Sequence, residues 1–515
     1  MLSPVETTGE PDHPTAPAIP SWAAGTVVFG AAAAVLVLEI LAGRLLAPYV
    51  GVTLQTYTGI IGTVLAGIAA GTWYGGYLAD RVDPRRLLGP LITLGGALSL
   101  ATIPLVRLFG DPFAGGGIVA IVILSAVGFF APAAVLSAVA PTVVKLRLTS
   151  LVHTGSVVGR LSALGTLGAI AGTFVTGFVL VSAAPVSTLI TVLGVALVVA
   201  GMGLWLWLSR HSGSLMIWAI LAAGTGLGLS VAVGVPCHVE TVYYCARIEV
   251  DADRPSGRLL VLDDLRHSYV DLEDPTHLEF RYTQLFAAAL EVVRPGTAAL
   301  DALHLGGGGF TMPRLLDVTR PGTSSLVLEV DAGIVDLATE RLGLTTDASL
   351  RVDVGDARLG VTALGDDSFD VVFGDAFGGL AVPWHLTTRE VVTELDRVLR
   401  PDGAYIVNVI DRPETAFVRA EAATLADVFA HVAVLAPPAG AIGRGGSNFV
   451  LVASQAPLDT TALRTAALGG ALDEEVITGV ELESWIGSAP VLTDDFAPVD
   501  QLLLLGSAGS DERYR

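Results

Sequence analysis

Long apolar runs fill the first 235 residues. Seven of them approach or exceed the roughly 20 residues needed to cross about 30 Å of hydrocarbon. They lie near 22–43, 57–79, 87–106, 116–139, 161–182, 185–208 and 214–235. The pattern predicts an α-helical polytopic membrane domain of about seven spans. Small residues let membrane helices approach closely, and Gly62, Gly67, Gly71, Gly75 and Gly76 in the second run, with Gly165, Gly168 and Gly172 in the fifth, suit that use. After Val235 the pattern changes. "YYCARIEV" (243–250), a turn "DADRPSG" and "RLLVLDD" (258–264) predict a β-hairpin. Apolar runs at 302–306, 325–331, 349–356, 369–375 and 404–410 then alternate with helix-like segments near 310–318, 332–342 and 387–399. Buried strands alternating with helices predict a doubly wound, Rossmann-like α/β domain.

Charge divides the chain at the same place. Of the 50 acids, 43 follow Val235, as do 20 of the 29 lysines and arginines. The first half has a membrane composition, and the second is an acidic soluble domain. An acidic domain argues against nucleic acid, whose phosphates need Lys and Arg, and suits a cationic substrate. Arg81, Arg85 and Arg86 follow the second run, Lys145, Arg147 and Arg160 the fourth, and Arg210 the sixth. Basic loops face the cytoplasm, so the N-terminus is expected inside and, after seven spans, the C-terminal domain outside. Cys237 and Cys245 would then pair in an oxidising compartment. Two cysteines alone predict no metal site. Residues 1–21 carry no signal-peptide pattern and are expected to be a disordered tail. Glu39, inside the first run, is either a functional membrane carboxylate or a partner of Arg44.

The candidate chemistry sits at the ends of the predicted strands. Gly306, Gly307 and Gly308 in "HLGGGGF" follow the first strand and precede a helix, where glycine lets a ligand approach the backbone. Glu329 ends the next strand, about 20 residues on, where an acid suits a ribose diol. Asp356 ends the third and can accept from an adenine amino group beside Ala357, or cap a helix. Asp375 ends the fourth, facing the same crevice, where a carboxylate can hold an amine and take its proton.

With "LLVLDDLRHSYVD" (259–271), "EFRYTQLF" (279–286), "FDVVFGDAF" and "TDDFAPVD" (493–500), these motifs make roughly 240–505 resemble the spermidine synthase (polyamine aminopropyltransferase) family. The whole chain resembles fusions of that domain to a transporter-like membrane region; "GGYLADRVDPRR" (75–86) is itself similar to a loop of major facilitator transporters. The resemblance implies decarboxylated S-adenosylmethionine as co-substrate, a polyamine or other small amine as acceptor, and no metal. It implies catalytic roles for Asp375 and Tyr282. It implies nucleoside contacts from the three glycines, Glu329, Asp356, Ala357 and His267, the last standing for a glutamine. Two family acids are replaced, by Gly309 in the glycine loop and by Gly378 after Asp375; Asp494, Asp495 and Asp500 are candidates to stand in for them.

The domains expected are a tail to 21, the membrane domain at 22–236, a hairpin subdomain with linker helix at 237–298, the Rossmann-like domain at 299–508 and a tail at 509–515. A cell-membrane location follows, with the lipid bilayer as a partner and a homodimer admitted. Two alternatives stand beside aminopropyl transfer. One is an S-adenosylmethionine-dependent methyltransferase, against which His304 occupies the place of an acid. The other is a non-catalytic polyamine transporter or sensor with a nucleoside-binding module.

Overall fold

The computed structural model describes residues 19–114, 117–148, 154–208, 214–379, 381–438, 441–443, 446–469 and 472–504. Most of the expected N-terminal tail, all of 509–515, and Arg210 lie outside them. The chain divides into two compact units, Met1–Pro236 and Cys237–Arg515.

Among the described residues, six helices of the first unit are long and apolar enough to cross a membrane: Ser21–Val50, Leu54–Arg81, Pro84–Phe113, Gly117–Arg147, Thr154–Ala183 and Val186–Leu208. The seventh apolar run forms a shorter helix, Ser214–Ala232. Glycines set the closest approaches. A Cβ on Gly71 would stand 1.9 Å from the Ala134 carbonyl oxygen, and one on Gly168 2.2 Å from that of Phe29. Gly62 meets nothing within 4 Å, so that position needs no glycine for packing. The fourth helix passes through a π turn at Ala126–Phe130, and Thr102 Oγ1 donates to the Gly128 carbonyl at 2.8 Å. A hydroxyl from a neighbouring helix thus serves a carbonyl in the irregular turn, as apolar surroundings require. Among the described residues no ion pair joins Glu39 to Arg44.

The second unit opens with a four-stranded antiparallel sheet: β1 (Val239–Glu240), β2 (Cys245–Val250), β3 (Gly257–Leu262) and β4 (Leu265–Asp271). β2 and β3 are the expected hairpin. A helix, Arg281–Val293, leads into the main sheet. Its parallel strands are β5 (Asp301–Leu305), β6 (Ser324–Glu329), β7 (Leu350–Val354), β8 (Phe369–Gly374) and β9 (Leu399–Asp411). Each matches an apolar run read from the sequence. Three more strands, β10 (His431–Ala436), β11 (Ser447–Ser454) and β12 (Glu475–Thr478), extend the β9 edge in antiparallel fashion, giving the order β12-β10-β11-β9-β8-β5-β6-β7. The doubly wound sheet is therefore mixed. The central parallel strands β5, β6 and β8 are buried on both faces, which explains their apolar character, whereas β7, at the edge, is largely exposed.

This order places the topological switch at β5. Its chain successor β6 lies on one side and β8 on the other. Ligands of open α/β sheets bind at such a switch, beyond the carboxyl ends of the strands.

Candidate active site

The glycine loop, Glu329, Asp356 and Asp375 all follow carboxyl ends of β5 to β8. Gly306 has φ +92° and a Cβ there would lie 2.7 Å from the Asp375 carbonyl, so only glycine lets β5 turn against the loop after β8. Glu329 Oε2 accepts the Gly307 N–H at 2.7 Å and that of Gly308 at 3.3 Å. Its Oε1 accepts the Asp331 N–H at 2.9 Å. The carboxylate thus shapes the loop as well as facing the crevice. Phe310 takes φ +60°, an unusual conformation for a bulky residue, with its ring wholly buried against Val327, Leu342 and Leu344. That burial offsets the strain of the left-handed backbone.

Of the two roles expected of Asp356, the structure shows the helix cap. It caps the helix Ala357–Thr362, accepting the Leu359 N–H at 3.1 Å. Its other oxygen lies 3.0 Å from His385 Nε2, and Asp356, Ala357 and His385 line one cavity. That cavity has a volume of about 330 Å³ and is walled also by Glu329, Gly306, Gly308, Tyr243 and Tyr244, a size and lining that suit a nucleoside.

Asp375 is the centre of a second group. Its Oδ2 accepts the Tyr282 hydroxyl at 2.8 Å and its Oδ1 accepts Asn408 Nδ2 at 2.9 Å. Asn408 Oδ1 in turn accepts Asn448 Nδ2 at 2.9 Å. Burial pushes the Asp375 carboxyl up to about 7, while the Asn408 and Tyr282 bonds pull the other way. Burial, then the Asp375 charge, raises the Tyr282 hydroxyl well above its usual value, so it stays a donor. These four residues line or adjoin a second cavity of about 340 Å³, bounded also by Arg266, Phe280 and Phe377. A narrow third pocket of about 30 Å³ runs behind the glycine loop past Ser268 and Thr311. Asp375 and His267 line all three. Burial holds His267 below its usual range, so it is neutral.

The two replaced acids have different surroundings. A Cβ on Gly309 would come 2.5 Å from Ser268 Oγ, so the loop has closed on Ser268 and leaves no space for a side chain. A Cβ on Gly378 would meet nothing closer than 4.0 Å. The C-terminal acids do not fill these places. Asp494 is held by Arg358 at 2.7 and 2.6 Å and by Thr388 at 2.8 Å, and none of Asp494, Asp495 and Asp500 lines the three cavities. His304 is buried in β5, stacked on Phe373 with ring centroids 5.2 Å apart. Burial lowers it to about 3, and it is a core residue. Among the described residues no cluster of three or more His, Cys, Asp or Glu is arranged to hold a metal ion.

Sequence reasoning missed Asn408, Asn448, His385, Tyr244 and Phe377. Only Asn408 left a signal, as a lone amide inside the apolar run "AYIVNVI". Tyr244 belongs to a clasp on the cavity beside Glu329 and Asp356. A disulfide joins Cys237 to Cys245. Between them, Thr241 Oγ1 donates to Asp331 Oδ2 at 2.5 Å, and the Tyr244 hydroxyl donates to the Phe377 carbonyl at 3.0 Å. The cystine hairpin is thereby bonded to the loops after both Glu329 and Asp375.

No protein-family model matches the chain. A polyamine aminopropyltransferase of Vibrio vulnificus (strain CMCP6) is 26% identical over 245 residues, covering 45% of this chain and 79% of that protein. A probable polyamine aminopropyl transferase of Bifidobacterium longum (strain NCC 2705) is 30% identical over 135 residues, covering 26% of this chain and 30% of that protein. Among solved structures, a probable spermidine synthase from Corynebacterium glutamicum ATCC 13032 aligns with a TM-score of 0.47 and 27% identity, over 50% of this chain and 95% of that one.

Proposed function

We infer, for a chain whose C-terminal half is homologous to the polyamine aminopropyltransferases, that this half transfers an aminopropyl group from decarboxylated S-adenosylmethionine to an amine. The observation that carries this reading is the place of Asp375, at the junction of the nucleoside-sized cavity and a second cavity, with its carboxyl near 7. The amine nitrogen attacks the methylene beside the sulfonium. The C–S bond breaks, and methylthioadenosine leaves with the electron pair. Asp375 holds the amine and takes its proton, and a base with this affinity can act near neutral pH. Tyr282 and Asn408 fix the carboxylate. Glu329 and Asp356 hold the ribose and adenine ends, and His267, neutral, packs at the junction without adding charge. Much of the rate comes from holding two reactants in register. The acceptor belongs to the class of amines, which includes the polyamines in the relatives' names.

Mass spectrometry after incubation of the purified chain with decarboxylated adenosylmethionine and an amine panel tests the reading. The expected products are methylthioadenosine and an amine heavier by one aminopropyl group. A methylated product from adenosylmethionine would replace it with methyl transfer. Binding of the nucleoside without turnover would leave a sensing module.

The same reading anchors the enzyme in the cell membrane with its C-terminal half outside the cytoplasm. Basic residues after the second and fourth apolar helices put the N-terminus inside, and the shorter helix Ser214–Ala232, taken as a seventh crossing after the six long ones, then puts this half outside, where the cystine would persist. Both native cysteines are paired, so a single cysteine placed at Leu468, which is 63% exposed, reports sidedness. A membrane-impermeant maleimide is expected to label it on intact cells. Labelling only after lysis would put the domain in the cytoplasm and reduce the crossings to an even number.

A further inference from the structure

Two asparagines carry the polarity of Asp375 across the sheet. Asn408 on β9 and Asn448 on β11 stand diagonally on one face, since Val450 pairs with Asn408 and Asn448 with Ile410. A primary amide has a donor end and an acceptor end, whereas a carboxylate only accepts. Ionised Asp375 therefore draws the donor end of Asn408, at 2.9 Å. That turns the Asn408 carbonyl oxygen toward β11, where it draws the donor end of Asn448, again at 2.9 Å. Asn408 is buried, with both ends satisfied. Asn448 is half-buried and lines the same cavity as Asp375. Its carbonyl oxygen is what remains. Among the described residues that oxygen accepts no hydrogen bond, yet it is not shut away from solvent. The two bonds and the two amides keep it within about 10 Å of the Asp375 carboxylate.

The charged groups of this wall act differently. Arg266 and Arg281 only donate, and Arg281 is paired with Asp473 and Glu474. Glu279, 3.3 Å from His277 Nε2, is a full charge whose pull on an ammonium far exceeds its pull on a neutral hydroxyl. The Asn448 oxygen accepts from an N–H or an O–H, charged or neutral. We propose that Asn448 is a specificity-determining residue of the acceptor site: its carbonyl oxygen takes a hydrogen bond from a second donor group, carried by the acceptor amine at the end away from the reacting nitrogen. This rests on the transferase reading and leaves its bonding changes as they stand. The reacting nitrogen lies at Asp375, and the carboxylate that receives it also fixes, through Asn408, the polarity that the far end meets. An apolar far end would strip the Asn448 oxygen of water and give nothing in return.

The test compares putrescine, 4-aminobutan-1-ol and pentylamine, which share a primary aminoalkyl chain and end in an ammonium, a hydroxyl and a methyl group. Purified full-length protein receives decarboxylated adenosylmethionine and one amine at about pH 8, where the Asp375 carboxyl is ionised. Methylthioadenosine release and adduct mass are the readouts. Relative to pentylamine, the native chain is expected to favour putrescine in kcat/KM by about tenfold or more and the amino alcohol by about two- to tenfold, the weights of a charge-assisted and a neutral hydrogen bond. Asn448→Leu is expected to bring the amino alcohol level with pentylamine while keeping native affinity for methylthioadenosine. Asn448→Ala, which removes the same oxygen without adding bulk, is expected to do the same. A merely structural role would slow the three amines alike and leave their ratios unmoved. An amino alcohol no better than pentylamine in the native chain, or an advantage that survives both substitutions, overturns the inference and keeps the transferase reading. No methylthioadenosine release with any amine defeats the transferase reading and this inference with it.

Discussion

Asp375→Asn is expected to bind methylthioadenosine as tightly as the native chain and to lose about 10²–10⁴-fold in turnover, the usual weight of a general base. The amide keeps the shape of the carboxyl and can still accept from the Tyr282 hydroxyl, so the cavity walls should stand. It cannot take a proton or balance an ammonium. Two pH dependences separate this role from a structural one. In the native chain turnover should rise as pH passes through about 7, where the Asp375 carboxyl ionises. Stability should move the opposite way. The folded-state affinity is raised from 3.8, so the protonated carboxyl is favoured on folding, and the stability it contributes is complete below pH 4 and lost as pH rises through 7. Asn carries no such dependence. Melting temperatures of the variant and the native chain should therefore diverge between pH 4 and 8, with the variant gaining. Near-native turnover in the variant, or parallel melting profiles, would make Asp375 a turn residue.

Glu329→Ala is expected to weaken methylthioadenosine binding by roughly 10²–10⁴-fold, as two hydrogen bonds to a charged acceptor are lost at about 1.5–3 kcal/mol each. The effect has two sources. One is the direct contact to the ribose diol. The other is the loop, because the Gly307, Gly308 and Asp331 amides lose their shared acceptor. Glu329→Gln retains one acceptor oxygen and should fall between. Calorimetry measures all three proteins, and an unchanged dissociation constant in Glu329→Ala would remove the nucleoside assignment.

Residues that the fold itself positions were legible in the sequence. Glu329, Asp356 and Asp375 close parallel strands, and a chain read as alternating strands and helices delivers strand ends to one crevice whatever the intervening loops do. Partnerships across the sheet were not legible. Asn408 lies 33 residues from Asp375 and Asn448 40 from Asn408, and only the register of β8, β9 and β11 brings them together. The antiparallel edge escaped because β10 to β12 follow no simple alternation with helices. The loss of the glycine-loop acid was visible as a letter, but its cause was not: Ser268, on β4 of the smaller sheet, occupies the space. The expectation that C-terminal acids replace it failed because Arg358 and Thr388 bind Asp494 elsewhere.

The cystine also sets the mechanics of the second half. Every load carried along the backbone from residue 236 enters at Cys237. The disulfide passes it directly to Cys245, the first residue of β2, whose ladder with β3 runs from Ala246 to Val250. Residues 238–244 lie in parallel with that bond and stay slack. A tug from the preceding helix is thus taken up as shear along an antiparallel ladder, while Tyr243 and Tyr244, which wall the cavity beside Glu329, are shunted out of the line of force. With the bond reduced, the same tug would run through Thr241 and Tyr244 and reach the loops that carry Glu329 and Asp375.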